Sequence, residues 1–188
     1  MPSALLLAAC QAIDAPLGPD PTLLDAEVPH ASSVGDVSTG DDPWTLPARC
    51  SSGRARSPNE SEGPDMMPGR ACISCHADTV AATGEDAPIF LFGGTLFPTG
   101  HEPDDCIADA AEGAQVIVTD ATGAVFAATA NATGNFSLDE GRLVPPFRAK
   151  VVFEGRERAM SLEQTNGDCN ACHSAEGEQG APGRIVLP

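Results

Sequence analysis

The sequence has no tyrosine, a single tryptophan (Trp44) and a single lysine (Lys150). Ten basic residues stand against 27 acidic ones, for a net charge of −17. Phosphate contacts need clustered Lys and Arg, so nucleic-acid binding is excluded, and anionic lipid headgroups would repel the chain. No apolar run approaches 18 residues, which excludes a helical membrane span. Long helices are excluded as well, because 19 glycines and 17 prolines interrupt 188 residues. A length of this order holds one domain, or a small domain and a tail.

What the chain does have is seven cysteines: Cys10, Cys50, Cys72, Cys75, Cys106, Cys169 and Cys172. Four of them fall in one pattern used twice, Cys72-Ile-Ser-Cys75-His76 and Cys169-Asn-Ala-Cys172-His173. C-x-x-C-H is the attachment signature of c-type haem. Two thiols at this spacing can each form a thioether to one vinyl group of a porphyrin, and the histidine that follows lies under the iron as its proximal ligand. The expectation is two covalently bound haem c groups, on Cys72, Cys75 and His76 and on Cys169, Cys172 and His173. Two other readings remain open. The pairs could share a tetrahedral zinc, although Cys75 and Cys169 are 94 positions apart against roughly 15–20 in the familiar pattern. They could also be redox or disulfide pairs, although no βαβ context surrounds them. Neither requires a histidine after each pair.

The other cysteines can be assigned in turn. Leu7-Ala8-Ala9-Cys10 resembles a bacterial lipobox, which implies a lipid-modified Cys10 and an exported protein anchored in the cell envelope. The apolar stretch is short and no Lys or Arg precedes it, so an ordinary signal peptide is the alternative. Cys50 and Cys106 remain as a disulfide pair, permitted in an exported protein. Closing that loop would stabilise by roughly 4 kcal/mol in the chain-entropy model.

Composition divides the chain into residues 1–10 as signal or lipobox, 11–64 as an acidic Pro- and Ser-rich tether, 65–88 as a first haem segment, 89–162 as a β region and 163–188 as a second haem segment. Over 41–64 the alternative is a loop-rich cover anchored by Trp44. A short helix is expected from about Ala71 to Thr83, closed by Gly84. Strand-like runs lie at 89–97, 115–119, 124–130, 135–138, 147–153 and 156–162, divided by turn signals such as Asp120-Ala121-Thr122-Gly123. Alternation turns Val116 and Val118, Phe136 and Leu138, and Val151 and Phe153 inward. The fold class expected is mainly β, a small antiparallel β-sandwich flanked by two loop or short-helix haem segments.

The runs Gly94-Thr95-Leu96-Phe97, Gly113-Ala114-Gln115-Val116-Ile117-Val118, Gly134-Asn135-Phe136 and Pro146-Phe147-Arg148-Ala149-Lys150-Val151 resemble carboxypeptidase-regulatory-like, transthyretin-like sandwich modules. That resemblance covers about 70 residues and implies a structural or interaction-bearing module without catalytic residues. A sandwich framed by two haem motifs also resembles exported deltaproteobacterial multihaem lipoproteins. The Gly-rich stretch after Cys172-His173, with Gly177, Gly180 and Pro182-Gly183, is similar to the post-motif loop of small c-type cytochromes.

Each iron can take a second axial ligand or stay five-coordinate, and candidates are few. His101, in a loop closed by Pro98 and Pro103, is the expected distal histidine; His30, Met66, Met67 and Met160 are the others. The cluster Glu102, Asp104, Asp105, Asp109 and Glu112 reads as a solvated loop or as a docking patch for a basic redox partner. The function expected is electron transfer by a dihaem cytochrome, with redox proteins, other cytochromes or further copies of itself as partners. A dihaem peroxidase or reductase, and a haem-free envelope module with zinc or disulfides, are the alternatives.

Overall fold

The computed structural model describes residues 42–57, 63–84 and 86–188. It is mainly β. One sheet has four strands in the order β3-β2-β5-β6, where β2 is Gln115–Asp120, β3 Val125–Thr129, β5 Phe147–Phe153 and β6 Arg156–Ala159. The other has three, with β1 (Phe92–Phe97) between β4 (Asn135–Leu138) and β7 (Ile185–Val186). One apolar cluster draws on both sheets: Phe92, Leu96, Phe97 and Phe136 from the second, Val116, Val118, Ala128, Phe147 and Val151 from the first. The expected alternation is present, since Val116, Val118, Phe136 and Val151 are buried and Leu138 and Phe153 pack against them.

The hairpins follow from side chains that substitute for backbone partners. At Asp120-Ala121-Thr122-Gly123-Ala124, Asp120 Oδ1 accepts from the Thr122 amide, the Thr122 hydroxyl and the Ala124 amide, at 2.6–3.0 Å. At Asn131-Ala132-Thr133-Gly134-Asn135, Asn131 Oδ1 accepts the equivalent three bonds. The same Asx-type turn is thus built twice, and the glycine of each takes positive φ.

Two departures from the sequence reading have physical causes. β1 starts at Phe92 rather than 89, because Ile89 is 79% exposed after Pro88. Ile185–Val186 forms a strand parallel to β1, so the sheet is not wholly antiparallel. A two-residue strand is too short to show any period.

The segment read as a tether is, over 42–57, packed on the body. The Gly100 amide donates to Pro43 O, and the Trp44 indole to Arg184 O at 3.2 Å. The Arg158 guanidinium lies 5.1 Å over the Trp44 ring. Ala55 bridges Cys106, and Arg54 pairs with Asp109. Low apolar content did not leave this stretch loose, because its anchors are one tryptophan, a disulfide and backbone hydrogen bonds.

Helix α1 (Cys72–Thr83) closes at Gly84, whose left-handed conformation lets its amide reach Val80 O. No residue of α1 is buried and no side chain caps its N-terminus. A twelve-residue helix of this kind is marginal by itself.

Candidate functional site

In α1, Cys72, Cys75 and His76 stand at i, i+3 and i+4, so two thiols and an imidazole share one helix face. The second motif has no such helix. Cys169–Ala171 form a single 3-10 turn, and the His173 amide returns to Cys169 O at 3.0 Å. None of the four motif cysteines is in a disulfide.

Each motif histidine is oriented in the same way. His76 Nδ1 lies 2.8 Å from Pro88 O, and His173 Nδ1 lies 2.9 Å from Gly183 O. A carbonyl only accepts, so Nδ1 carries the proton and Nε2 keeps its lone pair. This is how a metal-binding imidazole is held by its outer shell. Gly183 suits its task because its φ is +145° and a Cβ there would collide with Gly100 O.

β1 brings the motifs together. A Cβ on Gly94 would stand 2.9 Å from the Cys169 Cβ, and one on Gly93 would stand 3.8 Å from the Cys72 Cβ. Asp168 Oδ2 accepts from the Ser74 amide at 2.9 Å and its hydroxyl at 2.6 Å. Asn170 donates to Arg70 O and Thr95 Oγ1, and accepts from the Thr95 amide. The remaining Asp168 oxygen, Oδ1, is buried without a partner. Arg184, fully buried, closes the seam with bonds to Gly69 O, Glu102 O, His173 O and Asp104 Oδ1, and its guanidinium lies over Phe97. Between α1 and the second motif lies an open cleft of about 670 Å³, lined by Arg70, Ser74, Cys75, Asp78, Thr79 and Asn170 among others. That size is ordinary for a cofactor or ligand.

Burial, with Asp168 adding to it, pushes the Cys72 thiol up to about 12. Burial, then the Cys72 thiol and Asp168, pushes Cys169 up to about 12. Among the described residues the motif cysteines and histidines do not gather as a group of three metal donors, whereas Cys50, Glu102 and Cys106 do. Burial also pushes His173 down, which favours the neutral, ligating imidazole.

His101 stands between the loop of the second motif and the 42–57 segment. Its Nδ1 lies 2.6 Å from Ala175 O and its Nε2 2.8 Å from Trp44 O. Donating to both carbonyls takes the imidazolium, whose value these bonds raise, the Ala175 bond first. An iron at His101 would have to take the place of one of these carbonyls. Met66 and Met67 lie in the turn before the first motif, which Asn135 ties down through Met66 O. Met160 follows β6, its amide on Ala149 O. Cys50 and Cys106 form a disulfide with Cα atoms 5.5 Å apart. Cys10 and His30 lie outside the described residues.

Sequence reasoning missed Asp168, Asn170 and Arg184. Asp168 and Asn170 flank Cys169, and their polarity beside a motif cysteine was the available signal. Arg184, a lone cation in an acidic chain's Gly-rich end, gave a second. Of the acidic cluster read as a solvated loop, Glu102 is fully buried and Asp104 is the partner of Arg184. Comparison with family models, curated proteins and solved structures finds no match for this chain, so the resemblances noted above rest on their residues alone.

Proposed function

We propose that this chain is an exported dihaem c-type cytochrome that carries electrons. Cys72 and Cys75 would hold one haem with His76 as proximal ligand, and Cys169 and Cys172 the other with His173. The observation that carries this reading is the shared histidine geometry: both imidazoles are pinned through Nδ1 to a carbonyl, both offer Nε2, and each follows two cysteines that are in no disulfide. Haem when bound supplies a one-electron iron couple. The protein's part is to orient the imidazoles, to exclude water at the second motif and to keep the two motifs side by side through Ser74, Asp168 and Arg70. His101, Met66, Met67 and Met160 are the candidates for second axial ligands.

In the same reading the two sheets face each other as a β-sandwich, which their common apolar cluster supports. A lipid on Cys10 would tether the protein to the envelope. The net charge of −17 favours basic redox proteins as partners, other cytochromes included, and Asp78 and Asp104 at the cleft would meet them first. The test is maturation of the full chain in a host with haem-attachment machinery, followed by acid–acetone extraction and mass spectrometry. Two haem masses retained on the denatured chain are expected. A denatured chain stripped of haem would overturn the proposal.

A further inference from the structure

A second group of ligand-type side chains lies away from both motifs. Cys50 Sγ, Cys106 Sγ and a Glu102 carboxylate oxygen all lie within 4.8 Å of one another. Glu102 and Cys106 are fully buried and Cys50 is half-buried, so one side is open to solvent. The Glu102 carboxylate is held firmly. Oε1 accepts from the Thr99 hydroxyl at 3.0 Å and Oε2 from the Ser51 amide at 2.8 Å. Oε2 also lies 3.1 Å from Cys106 Sγ, which as half of a disulfide has no proton to donate.

Among the described residues no cationic side chain pairs with this carboxylate. Arg184, the nearest in its bonding, uses the Glu102 carbonyl and gives its ion pair to Asp104. Buried carboxylates ordinarily pair with a cation or coordinate a metal. This one is aimed at two sulfurs. The Ser52 hydroxyl lies 3.4 Å from Cys50 Sγ and 3.9 Å from Cys106 Sγ and adds a fourth donor.

We propose that Cys50, Cys106 and Glu102 form a redox-gated site for a thiophilic divalent cation of the zinc class. In the disulfide state the sulfurs are committed to each other. A dithiol reductant donates two electrons and two protons, giving Cys50–SH and Cys106–SH and leaving the reductant as its own disulfide. The cation then displaces both thiol protons to solvent and is held by two thiolates and one carboxylate, with Ser52 Oγ or water completing four-coordination. Zinc–sulfur bonds of about 2.3 Å and zinc–oxygen bonds of about 2.0–2.2 Å place tetrahedral donors roughly 3.5–4 Å apart, so the donors need only small movements. Cys50 can supply them, because it sits in a turn with Gly53 open on its outer side. The inference does not depend on haem at the motifs.

The test uses the full chain and Cd²⁺ as the probe, read by cadmium–thiolate absorption and by bound metal per chain. The disulfide form and the form reduced with a phosphine are compared, together with Glu102→Gln and the double variant Cys50→Ser/Cys106→Ser. Reduction should add one Cd²⁺ to the wild-type chain and none to the double variant. That difference excludes any metal taken up by the motif cysteines, which both chains share. Glu102→Gln keeps both thiols and should bind at least about ten-fold more weakly, no less than the loss of an outer-shell partner costs. Equal Cd²⁺ uptake by the reduced wild type and the double variant would overturn the proposal. So would unchanged affinity in Glu102→Gln. A wild-type protein whose melting temperature rises with Zn²⁺ only after reduction supports it without any variant, and an unchanged melting temperature counts against it.

Discussion

The two C-x-x-C-H motifs have the same pattern and opposite surroundings. The first lies on a helix with no buried residue, and its Cys75 is exposed. The second lies in a tight turn where Asp168, Asn170 and Cys172 are buried. Five residues of sequence therefore specify which atoms can react, while the neighbours decide how wet those atoms are. The first motif depends on its helix, on the His76 bond to Pro88 O and on the two bonds of Ser74 to Asp168. The second is gripped by β1, by Asn170 and by the buried guanidinium of Arg184. Burial is one of the levers on a haem potential, so under the cytochrome reading the two groups differ in potential. The more enclosed site disfavours the extra positive charge of the oxidised iron.

The largest expected effect comes from cutting the seam between the motifs. Arg184→Met keeps much of the side chain's bulk over Phe97 but leaves Gly69 O and Glu102 O buried without donors, and Asp104 without its cation. Each buried acceptor left without a donor costs about 1–3 kcal/mol, while the ion pair itself adds little because Asp104 is half-exposed. Urea unfolding of the full chain should show a midpoint shift of that order. Limited proteolysis should then cut in 163–188 before it cuts α1. A shift no larger than that of an exposed arginine such as Arg148 would mean that the second motif is held by β1 alone.

A smaller effect separates the neighbouring glycines of β1. On Gly94 an added methyl would meet Cys169 Cβ at 2.9 Å and the Phe136 ring at 3.0 Å. On Gly93 it would meet only ordinary contacts at 3.4–3.8 Å. Gly94→Ala should therefore cost about 1–3 kcal/mol, the usual cost of overpacking, and Gly93→Ala well under 1 kcal/mol by the same scale. Thermal unfolding of the two variants side by side checks the order. Equal losses would show that the second motif is not seated against Gly94.

Much of the β region was legible because its signals are local. Alternation at Val116/Val118 and Val151 has a period that burial reinforces, and the Asp-x-Thr-Gly and Asn-x-Thr-Gly turns carry their own hydrogen bonds. The helix was legible from Gly84, which alone tolerates the closing conformation. The two C-x-x-C-H motifs were legible from spacing. What stayed hidden depends on contacts between distant parts of the chain. Arg184 touches Gly69 across 115 positions, and Asp168 touches Ser74 across 94; no local pattern encodes either. The surroundings of His101 stayed hidden for a related reason: the loop containing Trp44 folds back onto its Nε2, and the loop after the second motif meets its Nδ1.

That histidine gives the smallest and most specific test. Among the described residues, His101 joins the 42–57 cover to the loop of the second motif and not to the first. Both bonds are donated, so they are strongest when the ring is protonated, and they raise its value above the ordinary figure of about 6.5. The linkage has one sign. The stabilisation is complete below the unfolded-state value and is lost as pH rises through the raised folded-state value. His173 runs the other way while unliganded. Burial pushes it down, so stability from its neutral form is held above the ordinary value and lost as pH falls through it. In the full chain, raising the pH from 6 to 9 should loosen the cover by about 1 kcal/mol, the worth of one hydrogen bond. Trp44 emission reports this directly, because Trp44 is the chain's single tryptophan and its carbonyl is one of the two acceptors. His101→Ala should flatten that pH response and leave the histidine geometry at both motifs intact. A wild-type emission that stays constant over the range, or an unchanged response in His101→Ala, would show that the cover is held by the Cys50–Cys106 bond and the Trp44–Arg184 contact without help from His101.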